Sequence, residues 1–262
     1  MRTASAVFDS AARVFDECCP ASPEILNSAC GIVKSFGAIP VRTLDVGCGT
    51  GTHSIPLAER FPNIRLSGID VSGEMVLCSR KKFPNATWVQ GDFFSTDLPA
   101  RGFDLVLAIN SIHLMNWRQF VLRCNRITSQ KGKVLVVTGD RADYSNIYYE
   151  HVPLFMEKDL LHYPRVKQLR LEFERLGFKT DCRKIEIQTI IKTAEDAEAV
   201  LKKARLKADS VFHLVDEACL NACISELEKS IEKQVAMRGF ALAKETLYAV
   251  EAVRSVGQKW QR

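Results

Sequence analysis

Apolar and polar residues change rhythm several times along this chain, and the changes divide it into elements. Five short runs, 41–46 (VRTLDV), 64–70 (IRLSGID), 86–90 (ATWVQ), 103–110 (FDLVLAIN) and 132–139 (GKVLVVTG), are mostly apolar on both faces. Runs of this length, bounded by turn residues, predict strands covered on both sides. Between them 52–60, 72–82 and 117–128 read as helices. In the last, Phe120, Val121, Cys124 and Ile127 share one face, which predicts packing against a sheet. Strands alternating with helices predict a doubly wound α/β core with a parallel sheet.

After Gly139 the rhythm breaks. Residues 141–164 are rich in Tyr and His without a clear period, which predicts an irregular or short-helical insert. Residues 165–176 read as a helix stopped by Gly177, and 183–191 as a strand. Thr193 with Asp196 forms a capping-box pattern before Ala197, Val200, Leu201 and Ala204, which share a face. A second long helix carries Leu220, Cys223, Ile224, Leu227 and Ile231 on one side, and 244–253 reads as a last strand. Near the start, Val7, Ala11 and Val14 fall at helical spacing with Phe8 and Phe15 beside them, predicting a first amphipathic helix. The 262 residues are expected to form one domain: N-terminal helices over 1–38, a core over 39–140, the insert 141–164, and the rest of the sheet over 165–262 with a helical insert at about 193–237.

Composition narrows the function. The chain is 47% hydrophobic and 26% charged with no apolar run of membrane length, so no membrane span is expected. The net charge of +5 is dispersed, and its tightest groupings, Arg80-Lys81-Lys82 and Lys202-Lys203, read as solvated helix faces rather than a nucleic-acid or membrane surface. Nine cysteines form neither a disulfide rhythm nor paired CxxC knuckles, which points to reduced thiols and a cytoplasmic location. Cys219 and Cys223 lie one helical turn apart with no further ligand nearby and read as packing, so no metal is expected. Asp9 and Asp16 interrupt an Arg-, Ser- and Ala-containing start and argue against a transit peptide.

The candidate chemistry begins where the first strand ends. In LDVGCGTGTHS an acid, Asp45, precedes Gly47, Gly49 and Gly51. Glycine lets the backbone approach a ligand closely at the carboxyl end of a sheet. The dinucleotide fingerprint G-x-G-x-x-G is one residue longer, and Asp45 would repel a pyrophosphate but attract a ligand carrying a sulfonium and an ammonium. Asp70 ends the second strand, where a carboxylate can accept from both ribose hydroxyls. Gly91-Asp92-Phe93 follows the third and offers an acceptor to an adenine amino group and an apolar side chain to its ring. Taken singly, Asp70 reads as a turn residue and Asp92 as a cap; three ligand-shaped loops at successive strand ends point to S-adenosylmethionine.

LDVGCGTG resembles the first motif of the class I S-adenosylmethionine-dependent methyltransferases, and the likeness runs through about 41–138. GIDVSGEM is similar to the family's ribose loop, QGDF to its adenine loop, and FDLVLAINSIHLM to its fourth strand with the substrate-side turn. The resemblance implies a Rossmann-like, seven-stranded sheet with its last strand antiparallel, N-terminal lid helices and a C-terminal helical insert. It implies cofactor contacts from Asp45, Gly47, Cys48, Gly49 and Gly51 around the methionine moiety, and from Asp70 and Val71 at the ribose. Met75, Gly91, Asp92 and Phe93 fall to the adenine, and Asn110 to the methyl group. Substrate-side candidates are Phe15, His113, Tyr144, Tyr148, Tyr149 and His151, with His113 the first candidate for a general base.

The stretches RFPNIRLSGIDVSGEM, KFPNATWVQGDF and ETLYAVEAV look like the small-molecule carboxyl methyltransferases, a group that includes trans-aconitate and malonyl-carrier-protein methyltransferases. Asn110-Ser111-Ile112-His113 departs from their pattern. The expected activity is methyl transfer, with S-adenosylhomocysteine as product, to oxygen on a small molecule, as carboxylate or hydroxyl. An amine acceptor, or a protein that binds the cofactor without transferring its methyl group, remains the alternative.

Overall fold

A computed structural model describes residues 4–148, 160–208, 210–213 and 215–255, so the candidates Tyr149 and His151 lie outside the described residues. Seven strands form one sheet in the order β3-β2-β1-β4-β5-β7-β6. The parallel part comprises β1 (Val41–Val46), β2 (Ile64–Asp70), β3 (Thr87–Gln90), β4 (Phe103–Ile109) and β5 (Thr128–Thr138). The last strand, β7 (Ala241–Arg254), enters antiparallel between β5 and β6 (Phe178–Ile191). Strand order reverses between β1 and β4, which opens a crevice at their carboxyl ends, the usual ligand position in open α/β sheets.

Alternation along each strand distributes the core. In β4, Leu105 and Leu107 face one layer, formed by α3 (Pro23–Lys34), α4 (Ser54–Arg60) and α5 (Gly73–Lys82) through Ile25, Val33, Leu57 and Val76. Val106 and Ala108 face the other, formed by α6 (Trp117–Ile127) and α7 (Val166–Arg175) through Phe120, Leu169 and Phe173. A third core gathers Tyr148, Ile191, Leu201, Phe212, Leu220 and Leu227 where α8 (Ala194–Arg205) and α9 (Glu217–Arg238) cover the extended ends of β6 and β7. The Thr193/Asp196 capping box is formed as its spacing predicts.

Several boundaries move. The sixth strand starts at Phe178 rather than 183 because it pairs with β7 over its whole length, from Phe178↔Arg254 to Ile191↔Ala241. As an edge strand it is exposed at most positions, so it lacks the apolar run that marks a strand in sequence. The helix expected from 52 begins at Ser54 because Gly51 to His53 belong to the glycine turn. The single N-terminal helix is replaced by two short ones, α1 (Ala4–Ala11) and α2 (Phe15–Cys18), so the segment bends as it crosses the cofactor loops.

Candidate active site

The turn after β1 takes a path open only to glycine. Gly47, Gly49 and Gly51 have φ of 67°, 52° and 76°. A Cβ on Gly47 would lie 2.5 Å from the Cβ of Ser111, whose hydroxyl donates to the Val46 carbonyl over 2.7 Å. That contact locks the β1 turn against the β4 turn.

Asp70 joins the first two loops. One carboxylate oxygen accepts from the Gly49 amide over 2.8 Å and the other from the Ser72 amide over 2.9 Å. Burial raises its pKa, and these two amides oppose the rise. Asp45 lies fully buried beneath the turn, and burial pushes it up to about 7, with the Ser54 hydroxyl pulling down and the Asp70 charge pushing further up. No cation pairs with Asp45 among the described residues, so its negative charge is left without a counter-ion in the ligand-free site. His53, at the start of α4, is held neutral by burial at about 4 and accepts the Ser22 amide, a structural role.

The other cofactor candidates divide. Met75 is buried, with its sulfur 3.9 Å from where a Cβ on Gly49 would sit, while Val71 stands exposed on the rim. Cys48 packs its thiol against Gly68 and donates to the Gly49 carbonyl over 3.7 Å, and burial raises its pKa well up. The Gly91 amide donates to the Asp70 carbonyl, bringing the third loop alongside the second. Asp92 is exposed and caps its own turn by accepting the Phe94 amide over 2.9 Å. Phe93 is buried with its ring 5.5 Å from Phe120, facing α6.

On the acceptor side, Asn110 is exposed in a left-handed conformation, φ 50°, with its amide tied to the Val137 carbonyl. His113 sits on the short 3₁₀ turn Ile112–Leu114, its ring stacked on Tyr163 at 4.5 Å and 9°. Tyr163 meets Tyr144 at 4.9 Å, and the Tyr144 hydroxyl donates to Glu245 over 3.3 Å. Sequence reasoning passed over Glu245, which reaches the site only through the antiparallel return of β7. Tyr148 does not join this wall. Its hydroxyl donates to the Val200 carbonyl and its ring packs edge-on against Phe212, in the third core. Phe15, half-buried, opens α2.

Two further residues escaped the sequence reading, which used them only against a transit peptide. Asp9 accepts from the Ser72 hydroxyl over 2.6 Å and from the Glu74 amide over 3.2 Å, and the Ser72 bond chiefly lowers its pKa. Asp16 accepts from the Thr50 and Thr52 hydroxyls and from Lys82 over 2.7 Å. Burial raises its pKa, but the Lys82 and Thr50 bonds outweigh that and leave it lowered. Acids seven positions apart thus hold the N-terminal segment onto two cofactor loops, while Glu17 reaches Lys202 on α8 over 2.7 Å. Asp16→Ala is expected to speed dissociation of a ligand held in the glycine turn by about threefold, since partly exposed ion pairs are worth at most about 1 kcal/mol. Stopped-flow dissociation measures it, and an unchanged rate would remove Asp16 from the closing contacts.

S-adenosylmethionine brings what these groups lack: positive charge for Asp45 and vicinal hydroxyls for Asp70, along a glycine path that permits close approach. Among the described residues no three His, Cys, Asp or Glu side chains converge as metal ligands, and no helix is long and apolar enough to cross a membrane.

Residues 43–132 match a family model described as a methyltransferase domain. Trans-aconitate 2-methyltransferase of Azoarcus sp. (strain BH72) is 38% identical over 74 residues, covering 28% of this chain and 28% of that enzyme. Phosphoethanolamine N-methyltransferase 2 of Haemonchus contortus, solved with S-adenosyl-L-methionine, superposes with a TM-score of 0.58 at 18% identity, over 94% of this chain and 57% of that one. The [4+2]-cyclase SpnF superposes with a TM-score of 0.56 at 19% identity, over 87% and 80% of the two chains. Residues 43–132 are thus a methyltransferase domain, set in a seven-stranded sheet of the class I S-adenosylmethionine-dependent kind.

Proposed function

We propose that this protein transfers a methyl group from S-adenosylmethionine to an oxygen of a small molecule, a carboxylate or a hydroxyl, as a single cytoplasmic domain. The observation that carries the reading is Asp45, a buried carboxyl without a cation beside a three-glycine turn and Asp70. The cofactor supplies an electrophilic methyl on a sulfonium, displaced in line to leave S-adenosylhomocysteine. Asp45 balances positive charge at the methionine end. Asp70, with each oxygen already taking one amide, keeps a lone pair on each for the ribose hydroxyls. Val71 lies beside Asp70 at the ribose, Met75, Gly91 and Asp92 border the adenine position with Phe93 packed behind them against α6, and Asn110 turns the chain toward the methyl group. The N-terminal helices, held by Asp9 and Asp16, exclude water.

The wall of His113, Tyr163 and Tyr144 orients the acceptor, with Tyr149 and His151 as further candidates. A carboxylate acceptor is already ionised at neutral pH, so geometry alone serves it; a hydroxyl acceptor must lose a proton, for which His113 is the candidate base. The likeness to a trans-aconitate methyltransferase supports the carboxylate. Because this fold does not by itself fix the reaction, the second reading is a protein that holds the cofactor without methyl transfer.

Calorimetric titration with S-adenosylmethionine and S-adenosylhomocysteine tests the site. Micromolar binding of both is expected, and binding of neither would remove the basis of the proposal. Release of S-adenosylhomocysteine with carboxylic acids and phenols then separates transfer from mere binding. Asp70→Ala is expected to weaken donor binding more than tenfold, about 1.4 kcal/mol, in a folded protein. Unchanged affinity would take Asp70 out of the ribose site.

A further inference from the structure

Helix α6 does more than cover the sheet, because one of its arginines reaches the loop that follows β3. Arg123 Nη1 donates to the Phe94 carbonyl over 2.8 Å and its Nη2 to the Thr96 carbonyl, while the guanidinium carbon lies 5.2 Å from the centre of the Phe93 ring. All three contacts fall just after Asp92, the acid placed at the adenine amino group.

The loop is tied at both ends, and Arg123 is the second tie. Upstream, the Gly91 amide donates to the Asp70 carbonyl over 2.8 Å, which joins the adenine loop to the ribose loop. Downstream, no helix or strand intervenes between Gln90 and Phe103, so the sheet does not hold the far side of the turn. There Thr96 folds back, its hydroxyl donating to the Asp92 carbonyl over 2.8 Å and its amide to the same carbonyl over 2.9 Å. A Cβ on Gly91 would lie 2.6 Å from the Thr96 hydroxyl oxygen, so the turn closes tightly upon itself. Arg123 fixes that closed turn to α6.

The consequence falls on Asp92. Phe93 is buried with its ring 5.5 Å from Phe120, and its neighbour Asp92 is exposed on the opposite side. One Asp92 oxygen accepts the Phe94 amide over 2.9 Å, and the other takes no bond among the described residues. A single hydrogen bond discriminates between ligands only if its acceptor is held in place beforehand. Arginine suits the task, because its planar fork reaches two carbonyls at once and lies against an aromatic ring, whereas a lysine is a point donor. The Nε of Arg123 is buried with no hydrogen-bond partner among the described residues, a cost to stability of the kind proteins carry at functional sites. We propose that Arg123 is a positioning residue for adenine recognition: by holding the Phe94 and Thr96 carbonyls and the Phe93 ring, it aims the open oxygen of Asp92 at the cofactor's exocyclic amino group. Arg123 acts only through Asp92, so its role rests on Asp92 being the adenine acceptor.

Calorimetry on the full chain compares S-adenosylhomocysteine with its inosine analogue, in which a carbonyl oxygen replaces the amino donor. The parent protein is expected to favour the adenosine form about tenfold, the worth of one hydrogen bond to a charged acceptor, and Asp92→Ala to abolish that preference. Arg123→Met keeps an apolar stem over Phe93 and removes the fork. It should bind S-adenosylhomocysteine about tenfold more weakly and the inosine form within about twofold of the parent, so that the preference disappears. A merely structural role would lower Tm and weaken both ligands in proportion, with the preference intact, and that result overturns the proposal. Should Arg123→Met fail to fold, Arg123→Lys, which keeps the charge but cannot fork to both carbonyls, carries the same comparison. Preference lost in Asp92→Ala but kept in the Arg123 variant overturns the role of Arg123 alone. A parent without preference, or a preference that survives Asp92→Ala, overturns the reading of Asp92 and the role of Arg123 with it.

Discussion

Gly47→Ala is expected to weaken S-adenosylmethionine binding by about a hundredfold, or roughly 2.7 kcal/mol. Two costs fall on one atom. At φ 67° an L-residue pays about 1–2 kcal/mol for its left-handed backbone. The new Cβ would also stand 2.5 Å from the Cβ of Ser111, a side chain held by its bond to the Val46 carbonyl. The relief is a shift of the β1 turn away from β4, which moves the Gly49 amide off Asp70 and spoils the ribose acceptor along with the loop. Gly37 supplies the control. Its φ is also 67°, but a Cβ there meets nothing within 4 Å, so Gly37→Ala should cost stability without changing affinity. Calorimetry beside thermal unfolding separates the two, and equal affinity for Gly47→Ala and the parent would refute the close-approach account.

Donor binding is also expected to tighten as pH rises toward 7, by up to tenfold per unit below that value. Asp45 sits at about 7 in the free protein because burial disfavours its charge, well above the usual carboxylate range. Below 7 the carboxyl is protonated in the free protein and must ionise to meet a cation, so binding releases a proton. Between pH 5 and 7 the affinity gain approaches a hundredfold if the bound carboxylate stays ionised throughout. Above about 7.7 the ligand's own amino group loses its proton, and affinity falls again. The sign for folding is opposite. A group whose folded pKa is raised binds protons more tightly in the native state, so Asp45 withdraws stability from the ligand-free fold as pH climbs from about 4 to 7. Asp70 faces the same loops, and burial raises it as well. Asp45→Asn should flatten the part belonging to Asp45 and bind the donor weakly at every pH. A profile flat from pH 5 to 7 in the parent protein would mean that Asp45 is not the counter-charge.

The cofactor half of the site was legible because its determinants are local. A strand end, a glycine turn and the next helix are contiguous, so Asp45 and Gly47 to Gly51 declare themselves in one stretch, and Asp70 and Asp92 repeat the pattern at the next strand ends. Strands buried on both faces announce themselves by apolar runs, which is why β1 and β2 lie where periodicity puts them. Sequence proved weaker where a residue's role depends on what lies across the fold. Phe93 follows an acid in the adenine-loop motif, yet α6 supplies Phe120 as its neighbour. Tyr148 and Tyr144 stand in one Tyr-rich stretch, but the first is drawn into the core under α8 and the second turns to Glu245.

By itself, then, the sequence determined the α/β alternation, the glycine turn and the acids at three strand ends, because each rests on backbone preference and burial over a few neighbouring residues. Only the tertiary structure decided that Asp9 and Asp16 close over two of those loops, that Glu245 meets Tyr144, and that Arg123 holds the loop after Asp92. Those meetings depend on strand order and on the antiparallel entry of β7, which bring together residues up to 101 positions apart, from Tyr144 to Glu245. No local pattern encodes such a distance; only the packing of the whole sheet closes it.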